Sequence, residues 1–192
     1  MRKHVDKPLD ELLTAEAITE DNGSAFAFPI VLVKKRSGDW RYCVDMRHLN
    51  KISLPLFYEL PVLKNILDVM TRSKANKITP MDLRQAYHQI SMTEESSHKT
   101  TFITPHRGAY RYLHLPQGHT QSPYFMQVAL NKLVRDQIGF YLFVYLDDVF
   151  CVSDLKTVFE KFKGANLKMH PKNAIFLGNK FNILTLFLVL TA

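Results

Sequence analysis

Apolar residues along this chain recur in places at every second position and in places at every third or fourth, and the switches between the two periods mark its expected elements. The spacing predicts a short amphipathic helix over Leu9–Ile18, then a turn at Asp21-Asn22-Gly23-Ser24. Two β-rich runs follow, PIVLV (Pro29–Val33) and WRYCVD (Trp40–Asp45), joined by Lys34–Asp39 as a hairpin with a basic tip. Pro61 is expected to open an apolar-periodic helix to about Met70. Lys77–Asp82 reads as a strand, and Thr100–Thr104 and Tyr110–Leu115 flank a turn at Arg107-Gly108. A longer helix is predicted from Ser122 as N-cap and Pro123 as first helical residue. Its stripe is Phe125, Ala129, Leu130, Leu133, Val134 and Ile138, and Gly139 is the stop. Phe140–Tyr145 and Val149–Ser153 are expected as strands, with a helix over Lys156–Lys163 and a last strand beyond. Helices and strands mixed in this order predict an α+β fold.

Composition narrows the class. With 192 residues, 46% of them hydrophobic and 11% aromatic, the chain can bury a core as one domain or two interleaved subdomains. Lys and Arg number 25 against 18 Asp and Glu, a formal charge of +7 that suits a polyanionic partner without requiring one. Its two cysteines, Cys43 and Cys151, each lie in a strand-like apolar run, which speaks against a disulfide framework and for a reducing, intracellular, cytoplasmic setting. The eight histidines show no metal spacing with them. MRKHVDKPLDELL has no signal-peptide apolar region, and Phe181–Ala192 is shorter than the roughly 20 residues a membrane span needs, so a soluble protein without a membrane partner is expected.

One break in the pattern calls for chemistry. In FVYLDDVF, Phe143–Phe150, Asp147 and Asp148 interrupt an apolar run between two expected strands. Two carboxylates roughly 4 Å apart repel by about 4 kcal/mol at an effective dielectric near 20, a cost that a divalent cation can reverse. Oxygen-only ligands favour Mg²⁺ over zinc. A two-metal site asks for a third carboxylate, and Asp82, at the end of KITPMD, is the best placed candidate. The alternative is a polar turn at Asp147-Asp148 with Asp82 capping the next helix.

The surrounding residues favour the first reading. YLDD, Tyr145–Asp148, resembles the Tyr-x-Asp-Asp motif of reverse transcriptases. WRYCVDMRHLNK (Trp40–Lys51), MDLRQAYHQI (Met81–Ile90) and LPQGHTQSP (Leu115–Pro123) resemble that family's fingers, first-aspartate and template-proximal motifs, in the same order. The first two look most like LTR retrotransposons of the gypsy type, whereas Gln117 in LPQG is closer to retroviruses. The resemblance runs from about Ser24 to Asp154. It implies the fingers and palm of a right-handed polymerase without a thumb, the palm an antiparallel sheet backed by helices. Residues 1–57 and 90–121 would be fingers, and 58–89 and 122–192 palm.

The resemblance also implies roles. Asp82, Asp147 and Asp148 would hold two Mg²⁺ ions, Mn²⁺ being a substitute, with the backbone carbonyl near Leu83 completing the shell. Arg41 and Lys35 would clamp the triphosphate of a deoxynucleoside triphosphate. Arg41 can do so through two parallel hydrogen bonds, so Arg41→Lys would not be silent; the alternative is a solvated basic loop. Tyr87 aligns with the sugar gate, whose ring fills the space a ribose 2′-hydroxyl would need, or is a core tyrosine. Gln117 and Gly118 would lie beside nucleotide sugar and base, or form a plain loop. Tyr145 would lie under the primer end, and Trp40, Asp45 and Arg47 would fix the fingers and touch template; Trp40 could equally be packing. Lys172, in HPKNAIFLGNKFNIL, would donate a proton to the leaving pyrophosphate.

The partners implied are an RNA or DNA template-primer and the remaining Pol segments, thumb, RNase H, protease and integrase, in a virus-like particle if the element is intact. Several features depart from the family. Ser153-Asp154 runs almost directly into Leu155-Lys156-Thr157-Val158-Phe159, where a longer connection is usual. Ile183-Leu184-Thr185 stands where Phe-Leu-Gly is usual, with Phe176-Leu177-Gly178 as an out-of-place echo, and TLFLVLTA matches nothing in the family pattern. These departures keep a second expectation open: a truncated, decayed chain that retains nucleic-acid binding at most.

Overall fold

The computed structural model describes residues 2–34, 38, 40–56, 77–152, 155–169 and 178–179. In chain order the elements are α1 (Arg2–Thr14), β1 (Ile18–Glu20), β2 (Phe28–Lys34), β3 (Trp40–Val44), α2 (Arg47–Ile52), β4 (Lys77–Asp82), a 3₁₀ turn (Ala86–Gln89), α3 (Glu94–His98), β5 (Phe102–Thr104), β6 (Gly108–Tyr112), α4 (Ser122–Leu133), β7 (Leu142–Tyr145), β8 (Asp148–Cys151), α5 (Leu155–Gly164) and β9 (Gly178–Asn179). The fold is α+β, as the order of the elements predicts. The chain divides into two compact units, one made of residues up to Leu56 with Tyr87–Ser122, the other of the residues up to Ala86 between them and those from Pro123 on.

In the first unit a five-stranded sheet has the order β1-β6-β5-β2-β3. Its pairings are antiparallel except β2 with β5, where Phe28 and Pro29 run parallel to Phe102 and Ile103. The expected strand pair is present as β2 and β3, from Ile30 opposite Val44 to Lys34 opposite Trp40, while residues 35–37 and 39 of the expected basic tip lie outside the described residues. The β5–β6 hairpin turns through Gly108, whose φ of 86° a side chain would oppose. Leu9, Leu12, Ile18, Phe28, Phe102, Tyr110 and Tyr112 form the core.

Helix α1 begins and ends earlier than the sequence predicts. Val5, Leu9 and Leu12 share its buried face, so the apolar stripe extends upstream of Leu9 and past Pro8, which lies inside the helix. The helix stops at a left-handed Glu16 (φ 53°), where the Ala17 N–H bonds the Leu12 carbonyl at 2.9 Å and the Glu16 N–H that of Leu13 at 3.0 Å. That closure frees Ile18 for β1. After β1, Asp21 is buried and accepts hydrogen bonds from Thr101 Oγ1 (2.8 Å) and the Gly23 N–H (3.2 Å), and pairs with His98 Nδ1 (3.0 Å). Burial opposes its charge, yet these bonds hold its carboxyl below the ordinary value.

Two short helices were not predicted. Helix α3 is capped by Thr93, whose hydroxyl accepts from the Ser96 N–H at 3.4 Å, and Glu94 and Glu95 sit in its first turn. Helix α2 buries only Leu49. Neither is long enough to show an apolar period.

In the second unit the sheet order is β7-β8-β4-β9, with each pairing antiparallel. Helix α4 buries Met126, Gln127 and Leu130 and ends at Leu133, not Ile138. Gly139 (φ 84°) lies beyond it, in the turn leading to β7. Ser122 is itself helical, and its hydroxyl donates to the Pro116 carbonyl at 2.8 Å. Helix α5 buries Val158 and Phe162 and closes through left-handed Asn166 (φ 55°). The helix expected from Pro61 lies outside the described residues, as does the expected last strand apart from Gly178–Asn179, which pairs with Ile78 and Lys77.

Candidate active site

The Tyr145–Asp148 stretch folds as a tight hairpin because its flanks alternate around a buried sheet. Leu142, Phe143 and Val144 in β7 are buried, as are Val149, Phe150 and Cys151 in β8. Tyr145 pairs with Asp148, so Leu146 and Asp147 form a two-residue turn. Leu146 has φ of 55°, a left-handed conformation that a branched side chain adopts at a cost. On the other side of β8, Asp148 pairs with Asp82, the last residue of β4. Beyond Asp82, the Leu83 N–H donates to the Asp147 carbonyl at 3.4 Å, tying the exit of β4 to the turn. The Arg84 N–H donates to the Lys168 carbonyl at 2.9 Å, and Leu83, itself buried, bridges to Met169.

This places Asp82, Leu83, Tyr145, Asp147 and Asp148 together at one end of one sheet. The three carboxylates are partly exposed, above buried Met81 and Val149. Burial, then Asp147, then Asp82 push the Asp148 carboxyl up to about 6. A cation would relieve that opposition, and an all-carboxylate donor set suits a hard divalent ion. Among the described residues no three His, Cys, Asp or Glu side chains already converge on one point, so the carboxylates are neighbours and not a closed shell. The donor chemistry fits; the shell is not preformed.

Two residues outside the sequence-predicted set hold loops in place. Gln127 of α4 is fully buried, accepts from the Leu146 N–H at 2.7 Å and donates to the Val144 carbonyl at 3.2 Å and to Asn131 Oδ1 at 2.8 Å. In the first unit, Asn50 of α2 donates to the Gly118 carbonyl at 2.9 Å and accepts from the Thr120 N–H at 3.0 Å. Sequence offered one signal for Gln127, an amide among the apolar positions of α4, and none for Asn50.

The other candidates belong to the first unit. Gln117 and Gly118 are exposed on a loop where Gly118 takes φ of 95°. His119 Nε2 lies 3.0 Å from Ser53 Oγ and Gln121 Nε2 donates to the Leu54 carbonyl at 2.6 Å, so the loop is fastened to the end of α2. Burial lowers the His119 imidazole pKa. Tyr87 is half-buried in the 3₁₀ turn. Arg41 occupies β3 opposite Val33, and Trp40 is exposed at the end of that strand with its ring centroid 6.0 Å from that of His4. Asp45 receives Arg47 Nε at 2.9 Å and Nη2 at 2.7 Å, which holds its carboxyl near 2 while leaving Arg47 in solvent. The pair lines an open cleft of about 620 Å³ with Phe26, Phe28, His48 and Lys51. Lys35 and Lys172 lie outside the described residues.

Residues 33–174 match the family described as reverse transcriptase (RNA-dependent DNA polymerase). The retrovirus-related Pol polyprotein from transposon 297 of Drosophila melanogaster is 33% identical over 193 residues, covering 94% of this chain and 18% of that protein. The transposon Tf2-3 polyprotein of Schizosaccharomyces pombe (strain 972 / ATCC 24843) is 30% identical over 176 residues, 84% of this chain and 13% of that one. Native prototype foamy virus protease-reverse transcriptase superposes with a TM-score of 0.73 at 27% identity, over 89% of this chain and 23% of that chain. A foamy viral protease-reverse transcriptase in complex with an RNA/DNA hybrid shares the fold, with a TM-score of 0.74 at 23% identity, over 88% of this chain and 23% of that chain. The chain thus spans less than a fifth of the length of the curated relatives it matches. The family match covers most of the sequence and contains both β4 and the β7–β8 hairpin, and the chain belongs to the reverse transcriptase (RNA-dependent DNA polymerase) family.

Proposed function

We propose that this chain is the fingers and palm segment of a retrotransposon reverse transcriptase and synthesises DNA on an RNA or DNA template. The first unit is assigned to the fingers and the second to the palm. The observation that carries the reading is the pairing of Asp82 with Asp148 across β4 and β8, with Asp147 on the adjoining turn, inside a chain of this family. The primer 3′-hydroxyl attacks the α-phosphate of the incoming deoxynucleotide in line, and pyrophosphate leaves. Asp82, Asp147 and Asp148 would hold two Mg²⁺ ions, with Mn²⁺ as a substitute; when bound, they supply neutralisation of phosphate charge and activation of the hydroxyl. The buried sheet beneath fixes the backbone that carries these residues, and their side chains would close on the ions as they bind.

Arg41 and Lys35 bind the triphosphate, and Tyr87 excludes a 2′-hydroxyl. Gln117 and Gly118 meet the nucleotide, Gly118 because no side chain stands in the way of its backbone. Trp40, Asp45 and Arg47 line the template path, the Asp45 pair fixing the Arg47 guanidinium for phosphate. Tyr145 supports the primer end, and Lys172 protonates the leaving pyrophosphate. The remaining Pol segments would complete the enzyme, in the cytoplasm and, if the element is intact, in a virus-like particle. Primer extension with Mg²⁺ and four deoxynucleotides, on primed RNA and primed DNA, tests this: extension abolished by chelation is expected, and none on either template contradicts it.

A second reading, a nucleic-acid-binding module without catalysis, is favoured by the short connection after the Asp pair, where Ser153-Asp154 runs almost directly into Leu155-Lys156-Thr157-Val158-Phe159. It predicts template binding that weakens steeply with salt and no incorporation, and salt-insensitive binding would rule it out.

A further inference from the structure

The hairpin that carries Asp147 and Asp148 has an internal conflict. Its first turn residue is Leu146, at φ of 55°, where glycine is the residue of choice in a two-residue hairpin turn of this sign. A branched side chain there must be held by something else. The described hydrogen bonds supply one such clamp: Gln127, which reaches out of α4 with no exposed surface, accepts the Leu146 N–H at 2.7 Å and returns a donor to the Val144 carbonyl at 3.2 Å. A glutamine is rarely buried completely, and this one is spent on the backbone of a single turn. Its own amide is oriented by the bond to Asn131 Oδ1 at 2.8 Å, one helical turn away.

We infer that Gln127 is a positioning residue for nucleotidyl transfer. It fixes the left-handed turn at Leu146 and so sets where the Asp147 and Asp148 carboxylates stand, an inference that rests on reading those two as metal ligands. It touches neither substrate nor ion. The same side chain grips the chain twice where it enters the turn, accepting from the Leu146 N–H and donating to the Val144 carbonyl, so removing the amide releases both at once.

The test is Mn²⁺ titration of the free protein followed by electron paramagnetic resonance, on wild type, Gln127→Met, Leu146→Gly and the double variant, each with its melting temperature. Gln127→Met keeps length and apolar volume but loses both hydrogen bonds; it is expected to weaken Mn²⁺ binding about tenfold, the effect of one or two lost buried hydrogen bonds. Glycine takes the positive φ without strain, so in the Leu146→Gly background the same change should cost about threefold or less. A merely structural role would lower the melting temperature without that rescue.

Unchanged Mn²⁺ affinity in Gln127→Met overturns the inference, and so does an undiminished loss in the glycine background. If Gln127→Met does not melt cooperatively, exchange of the Leu146 amide proton in the wild type decides. Strong protection is expected, and free exchange overturns the clamp. Wild type that binds no Mn²⁺ refutes the metal reading of the carboxylates, and the same exchange measurement then judges the clamp alone.

Discussion

Burial, then the charges of Asp147 and Asp82, push the Asp148 carboxyl up to about 6. Its ordinary value is 3.8, so between about pH 4 and 6 the folded chain keeps a proton that the unfolded chain has lost. The contribution of Asp148 to stability therefore falls as pH rises through that window and levels off above it. In metal-free buffer the melting temperature of the wild type relative to Asp148→Asn should drop between about pH 4 and 6, a difference that cancels the opposite slope from His88, His114 and His119, whose lowered pKa values favour folding as pH rises. Mg²⁺ should raise the wild-type melting temperature most at the upper end. A wild-type melting temperature that does not fall relative to Asp148→Asn over this range would contradict the assignment. Tyr87 makes a different prediction. With the ring removed in Tyr87→Ala, the preference for deoxy- over ribonucleotides in kcat/KM should fall by about tenfold or more; a preserved preference would return Tyr87 to the core. These residues could be named from sequence because a carboxylate pair in an apolar run and a motif order are local features. Asn50 gave no such signal and Gln127 only an amide among apolar positions, since a side chain that bonds the backbone of a distant loop shows its role only once the chain has folded.

At the scale of elements, the strands were the legible part. β2, β3, β4, β7 and β8 alternate or run apolar between turn residues, and each lies within two residues of its expected bounds. Short polar helices were not legible: α2 and α3 are held by a buried Leu49 in one case and a Thr93 cap in the other, which an apolar period does not report. Helix α1 shifted because Val5 joins its buried face before Pro8, and α4 stopped early because the chain tightens after the Val134 N–H bond to the Leu130 carbonyl, the Gln137 N–H bonding the Val134 carbonyl, although Val134 remains buried. The loop carrying Gln117 and Gly118 depends on α2 through Asn50, so Asn50→Ala removes one donor and one acceptor from its backbone. We expect a loss of about 1–2 kcal/mol in thermal unfolding and a rise in the KM for deoxynucleotide. An unchanged KM with the stability loss would make Asn50 structural only.

For the molecule as a whole, the +7 charge suits a polyanionic partner without requiring one, and the family match and the α+β fold bear out the family and the class of fold. The described strands place Asp82 beside Asp148 by register, a relation that sequence separation alone does not give. The proposed transfer of nucleotides at this end of the sheet can be followed by single-turnover incorporation of one deoxynucleotide on a primed RNA template with Mg²⁺, comparing wild type with Asp147→Asn at matched template occupancy and melting temperature. Incorporation by the wild type and a loss of at least about a thousandfold in the variant are expected. Equal incorporation by the two, or none by a cooperatively folded wild type, would contradict it.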